Sequence, residues 1–253
     1  MKTQCVHIDW SSDGLQFALK RNDLVIIVDT LRFSSAVVTA VAHGYTIHPV
    51  ADERRGRALA RAVGAVMAGK PGQAKYSLSP RSYLDKGRPH AAVVLYSPNG
   101  ATCASHIQCN DTACIGCFLN ARAVALYADA WAARRGRNVT VLACGEQRAC
   151  TSGERIVYTK EKSQRVFAIE DYLACGAIIA CLSMEKTAEA TVCEAAFRAT
   201  RDQLVELIRH SFSGQYLTER GLDADVQHAV QIDRYDAVPV VYEGKIIAAR
   251  ATT

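Results

Sequence analysis

This 253-residue chain is short of several things, and each shortage excludes a class of protein. Six prolines and sixteen glycines are spread along it with no low-complexity tract and no long polar linker. That argues against a fibrous or disordered chain and for one compact domain over residues 1–253. No apolar run approaches the roughly eighteen residues that a membrane-spanning helix needs. Aromatic residues make up 7%, the formal net charge is +5, and the arginines are scattered among acids, as in Asp52-Glu53-Arg54-Arg55. Nucleic-acid binding wants a denser basic stripe interleaved with aromatics, so no nucleic-acid partner is expected. A mild positive field suits small anionic substrates instead. The opening MKTQCVHIDW has no basic-then-apolar leader, so the ten cysteines read as reduced, buried hydrophobes of a cytoplasmic protein.

Familiar catalytic signatures are also missing. Residues 64–70 spell G-x-x-x-x-G-K, but Pro71 stands where a P-loop needs Ser or Thr, and a helical segment precedes the glycines where a strand should. No G-x-S-x-G elbow is present, and Asp29-Thr30-Leu31 lacks the second aspartate of a haloacid-dehalogenase-type phosphatase. Cys114 and Cys117 form a single C-x-x-C with Cys103 and Cys109 nearby, and no second pair follows at zinc-finger spacing. Cys144 beside Gly145 reads as packing at a tight turn, and the seven histidines show no paired spacing.

What is present is a run of buried strands alternating with helices. Apolar, β-branched residues 24–28 predict a buried parallel strand, and small residues from Ser34 to a stop at Gly44 predict a helix. Further strands are expected at 6–10, 45–50, 91–96, 138–143 and 166–169, with a Ser-Ser-Asp-Gly turn after the first. Helices are expected at 52–67, 120–134, after Glu170-Asp171 through Cys181, and in one piece over about 185–211. Residues 69–80 and 109–117 read as loops, 149–164 as an insertion loop or hairpin, and 238–249 as a terminal hairpin. The pattern gives an α/β, three-layer fold with a parallel or mixed sheet. Val28-Asp29-Thr30-Leu31 and Glu170-Asp171-Tyr172-Leu173 echo each other, which a duplicated fold would explain.

Polar residues cluster at the strand ends: Asp29 with Arg32, Ser97 with Asn99, Cys144 with Glu146, and Glu170 with Asp171. Sites of open α/β sheets form there, where helix N-termini also offer free N–H groups to anions. Carboxylates in that position suit a hard cation such as Mg²⁺, and Arg32, Arg81 and Arg148 suit bidentate grip on substrate anions. The competing reading makes the acids helix caps and the arginines surface charges.

Five segments resemble the ComB family, the 2-phosphosulfolactate phosphatases. Asp29-Thr30-Leu31-Arg32-Phe33-Ser34-Ser35 is similar to that family's D-V-L-R-A-T-T/S, and Ser77-Leu78-Ser79-Pro80-Arg81 stands at its G-N-S-P-x-E loop. Ser97-Pro98-Asn99-Gly100-Ala101-Thr102 resembles T-T-N-G-T, and Cys117-Phe118-Leu119-Asn120-Ala121 resembles S-F-L-N-A. Residues 167–176 resemble F-S-L-E-D-x-x-C-A-G. The resemblance implies an α/β, ComB-like fold and Mg²⁺-dependent hydrolysis of 2-phospho-3-sulfolactate, a step of coenzyme M biosynthesis. It makes Asp29, Glu170 and Asp171 the metal-binding and catalytic residues, and Arg32, Ser34, Ser79, Asn99 and Gly100 the substrate contacts, to which the guanidinium reading above adds Arg81 and Arg148. Pro98 and Ala101 depart from the family's hydroxyls, the G-N is missing before Ser79, and the link between residues 144 and 167 is longer. The substrate expected is therefore a small anionic phosphate ester of the 2-hydroxy-acid kind. The alternative is a catalytically silent binding protein on the same scaffold, with residues 103–117 as a partner surface. A homo-oligomer is compatible with either reading.

Overall fold

The computed structural model describes residues 4–84, 91–110, 112–149 and 163–249. Its strands are β1 Cys5–Trp10, β2 Leu24–Val28, β3 Thr46–Val50, β4 Val66–Met67, β5 Ala92–Tyr96, β6 Thr112–Ile115, β7 Val139–Ala143, β8 Glu146–Ala149, β9 Ser163–Val166, β10 Glu185–Lys186, β11 Pro239–Tyr242 and β12 Lys245–Ala248. The α-helices are α1 Ser11–Lys20, α2 Ser35–Ala42, α3 Glu53–Val63, α4 Gly100–Ser105, α5 Ala121–Arg135, α6 Ile169–Ile179, α7 Ala188–Thr200, α8 Leu204–Arg209, α9 Phe212–Thr218 and α10 Asp223–Ala229. Among these residues no helix is long and apolar enough to cross a membrane.

One mixed sheet runs in the order β10-β1-β7-β2-β6-β11-β12-β3-β5-β4. Strand β2 is buried along its whole length and pairs in parallel with β7 and β6. Its side chains alternate: Ile26 and Val28 pack with α5 and α6, while Val25 and Ile27 pack with α1, α2 and α4. Helices on both faces thus explain why the strand is apolar without a break, and make three layers.

The β11–β12 hairpin pairs antiparallel with β6 on one side and β3 on the other, so the parallel blocks β1-β7-β2-β6 and β3-β5-β4 run in opposite directions. In a flat sheet the ends of β2 and β5 would lie at opposite edges. Five strand steps at roughly 20–25° each rotate one block by over 100° relative to the other, and the sheet curls so that α4 lies against β2, β3 and β5. The turn after β5 thereby reaches the turn after β2.

Several boundaries differ from the sequence-based expectation. The Ser-Ser-Asp-Gly segment is the first turn of α1, because Leu15 and Ala18 share one buried helical face. Helix α3 stops at Gly64, whose left-handed conformation frees the chain to form β4. Part of the expected 109–117 loop is strand β6, since Ala113, Cys114 and Ile115 fill the slot between β2 and β11. The long helix over 185–211 is several pieces. Thr187 caps α7 by accepting the Ala190 N–H, and Thr200 bonds back to the Ala196 carbonyl where α7 ends. Residues 150–162 of the expected insertion lie outside the described part, and on either side β8 and β9 pair antiparallel. The echo between Asp29 and Glu170 stops at the sheet: Asp29 follows a central strand, whereas Glu170 opens α6 after β9, which belongs to a separate two-stranded sheet.

Candidate active site

Asp29 is the first residue beyond β2 and is almost wholly buried. Its Oδ2 accepts the Gly100 N–H at 2.7 Å and the Ser97 hydroxyl at 3.1 Å, and the Phe33 N–H also donates to the carboxylate. The neighbouring hydroxyls are used within the turn. Ser34 Oγ accepts the Asp29 N–H at 2.8 Å and donates to the Ile27 carbonyl, and Ser35 Oγ donates to the Thr30 carbonyl at 2.7 Å. Gly100 is required here, because an added Cβ would sit 2.3 Å from the Phe33 ring and 2.8 Å from Asp29.

Glu170 and Asp171 lie in the first turn of α6, both 2% exposed. Asp171 Oδ1 accepts the Thr30 N–H at 2.7 Å and Oδ2 accepts the Gly145 N–H at 3.0 Å. One carboxylate thus clamps the turns after β2 and β7 to the start of α6. Gly145 has φ +69°, and an added Cβ would meet the Val166 carbonyl at 2.9 Å. Just beyond it, Glu146 Oε1 accepts the Asn99 amide at 3.0 Å and the Gln147 N–H at 2.7 Å.

Four acids therefore converge: Asp29, Glu146, Glu170 and Asp171. Burial is the largest influence on three of them and raises the pKa of Asp29, of Glu146 to about 7, and of Asp171 well above the usual carboxylate range. Mutual repulsion among the four adds to the rise for Glu146 and Asp171, whereas the three donors and Arg165 oppose it at Asp29. A raised pKa means that the folded protein holds the proton more tightly than the unfolded chain. For Glu146, stability is full below pH about 4.5 and falls by roughly 3 kcal/mol as the pH climbs through about 7. Urea unfolding at pH 5 and pH 8 without divalent cations is expected to show higher stability at pH 5, and Glu146→Gln is expected to reduce that slope, leaving the share of Asp29 and Asp171. An unchanged slope in the variant would show that Glu146 does not titrate this way.

Arg32, on the turn after Asp29, donates through Nη1 to Asp225 Oδ2 at 2.9 Å. The other Asp225 oxygen accepts the Ser79 hydroxyl at 2.5 Å. Asp225, 2% exposed on α10, therefore fixes both the arginine and the serine that the sequence resemblance assigns to substrate. Arg81 is exposed on a 3₁₀ turn, and its charge acts on His228. Arg148 belongs to β8, and its side chain lies outside the described part. Sequence reasoning missed Arg165, which donates to the Cys144 carbonyl at 2.8 Å and whose charge lowers the pKa of Asp29. Its signal was its place at a strand end, paired with Gln147 one residue from Glu146.

The donor set suits Mg²⁺, which takes hard oxygen ligands and commonly only one or two carboxylates alongside water and phosphate oxygens. Asn99 Oδ1 is a buried acceptor with no hydrogen-bond partner beside these acids, and lacks a donor or a cation. No group of three His, Cys, Asp or Glu side chains forms a ready-made cage among the described residues. Of the expected ligands, Asp171 accepts a backbone N–H on each oxygen and Asp29 accepts three donors, and Asn99 Oδ1 stands beside them as a further oxygen without a donor.

Fold and site together define an α/β protein with a buried carboxylate centre at its strand ends, flanked by guanidinium groups. The family model for 2-phosphosulpholactate phosphatase matches residues 11–244, and the chain belongs to that family. A Methanothermobacter thermautotrophicus protein named "2-phosphosulfolactate phosphatase" is 29% identical over 227 residues, covering 88% of both chains. Proteins named "Probable 2-phosphosulfolactate phosphatase" from Carboxydothermus hydrogenoformans and Caldanaerobacter subterraneus are 26% and 23% identical, over 88% and 87% of this chain and 89% and 88% of theirs.

Proposed function

We propose that this protein is a phosphoric monoester hydrolase that releases phosphate from 2-phospho-3-sulfolactate or a related 2-hydroxy-acid phosphate. The observation that carries the reading is the convergence of three buried acids and the half-buried Glu146 with the unpartnered Asn99 Oδ1. Asp29, Glu170 and Asp171, with Asn99 Oδ1 beside them, would hold Mg²⁺, which supplies charge neutralisation on the phosphoryl oxygens. Arg32 binds the phosphate through the part of its fork that Asp225 leaves free. Glu146, with a pKa near 7, is matched to accept a proton from the attacking water. Asp171 holds the β2 and β7 turns in register for this.

Phosphate release from 2-phospho-3-sulfolactate, with Mg²⁺ and with a chelator, tests the reading. The expected result is turnover with Mg²⁺ that the chelator abolishes. A second reading has its own support: Ser34 Oγ and the Gly100 N–H, both expected to face phosphate, are bonded within the protein. Tight binding of the ester without any release would make the chain a silent binding protein and sink the hydrolase assignment.

A further inference from the structure

A cavity of about 370 Å³ opens beside Arg32, between the start of α3, the segment after β4 and the end of β5. It lies next to the acid centre along the chain as well as in space. Tyr96 lines it, and the next residue, Ser97, donates to Asp29. The lining carries three cations, Arg32, Arg57 and Lys70, against one carboxylate, Glu53. Arg32 is already answered by Asp225, and Arg57 is held loosely, 3.7 Å from Glu53 with both side chains substantially exposed. Lys70 is exposed at the rim. Met67, Leu78 and Leu95 supply apolar wall, so the space suits an organic anion better than a bare hydrated ion.

We propose that this cavity is the pocket for the non-reacting end of the substrate, and that Arg57 and Lys70 select esters carrying a second, distal acid, a sulfonate or a carboxylate. The proposal rests on the hydrolase reading and adds two residues that none of the resembling segments contains. In it, Arg32 stands between the two anions: its guanidinium faces the phosphate at Asp29 and its flank closes the cavity. A guanidinium and an ammonium at one rim recognise charge with little demand on anion shape, so both kinds of distal acid are accepted. Neither residue touches the acid centre, so their loss weakens binding and leaves the chemical step intact.

The test compares 2-phospho-3-sulfolactate and 2-phosphomalate, which carry the distal acid, with 2-phospholactate, which has a methyl group in its place. In the double variant Arg57→Gln/Lys70→Gln, the KM for the first two is expected to rise about tenfold or more with kcat within twofold. The KM for 2-phospholactate is expected to stay unchanged. A rise confined to one of the two acids would overturn selection by charge alone. Equal effects on all three esters, or none on any, would overturn it. If the wild-type protein hydrolyses none of the esters, the hydrolase reading fails, and calorimetry with sulfolactate and lactate decides the pocket separately. Sulfolactate is then expected to bind the wild type at least tenfold more tightly than the double variant, with no such difference for lactate, and equal sulfolactate affinities would overturn it.

Discussion

Asp29→Asn is expected to lower the rate of phosphate release by a factor of roughly 10²–10³ or more, the range seen when one fixed charge or donor at a reacting centre is removed. The substitution keeps the size of the side chain and one oxygen to accept the Gly100 N–H and the Ser97 hydroxyl. What it removes is negative charge from a cluster whose members already raise one another's pKa values. The amide nitrogen that replaces the other oxygen cannot accept, which costs about 1–3 kcal/mol in this buried turn, and relief of repulsion offsets part of that loss. Steady-state phosphate release together with thermal unfolding checks this. A variant that unfolds far below the wild type would make Asp29 a cap first and a site residue second. Full activity in a stable variant would remove it from the site.

Asp171→Ala is expected to act in the opposite way, through the fold. Both Asp171 oxygens accept buried backbone N–H groups, from Thr30 and Gly145, on the turns that follow the paired strands β2 and β7. Leaving two buried donors without acceptors costs about 1–3 kcal/mol each. For a chain of this size that lowers the Tm by roughly 5–15 °C. Relief of repulsion with Asp29 and Glu170 works against the loss, which places the expected shift in the lower half of that range. Calorimetric scans of the two proteins at the same pH measure it, and a Tm within a degree of the wild type would show that the clamp contributes nothing.

Much of the site was legible in the sequence because it sits where elements begin and end. The unbroken LVIIV of β2 announced a strand covered on both faces, and Asp29 marked its end. Glu170 and Asp171 stood out as acids at a strand end ahead of a small-residue helix, and the structure puts them in that helix's first turn. Position alone did not show what their oxygens would meet. Ser34 and Gly100, expected to face phosphate, spend their hydrogen-bonding groups on the Asp29 turn. Asp225 was invisible for another reason. It lies in a short polar helix, and its partners Arg32 and Ser79 are 193 and 146 residues away in the chain. Nothing in the local pattern of α10 marks it. The approach of Ser97 to Asp29 likewise depends on the accumulated twist between two oppositely directed blocks, which strand patterns do not encode.

The central claim is that these buried acids form a cation centre, and titrating Mg²⁺ into the protein at pH 7 by calorimetry tests it most directly. Two buffers of different ionisation enthalpy reveal the protons exchanged. Because Glu146 and Asp171 hold protons more tightly than ordinary carboxylates, binding is expected to be saturable and to release about one proton per Mg²⁺. In Asp29→Asn both the binding and the proton release are expected to be lost. No Mg²⁺ binding to the wild type, or binding that releases no proton and persists in Asp29→Asn, would contradict the claim.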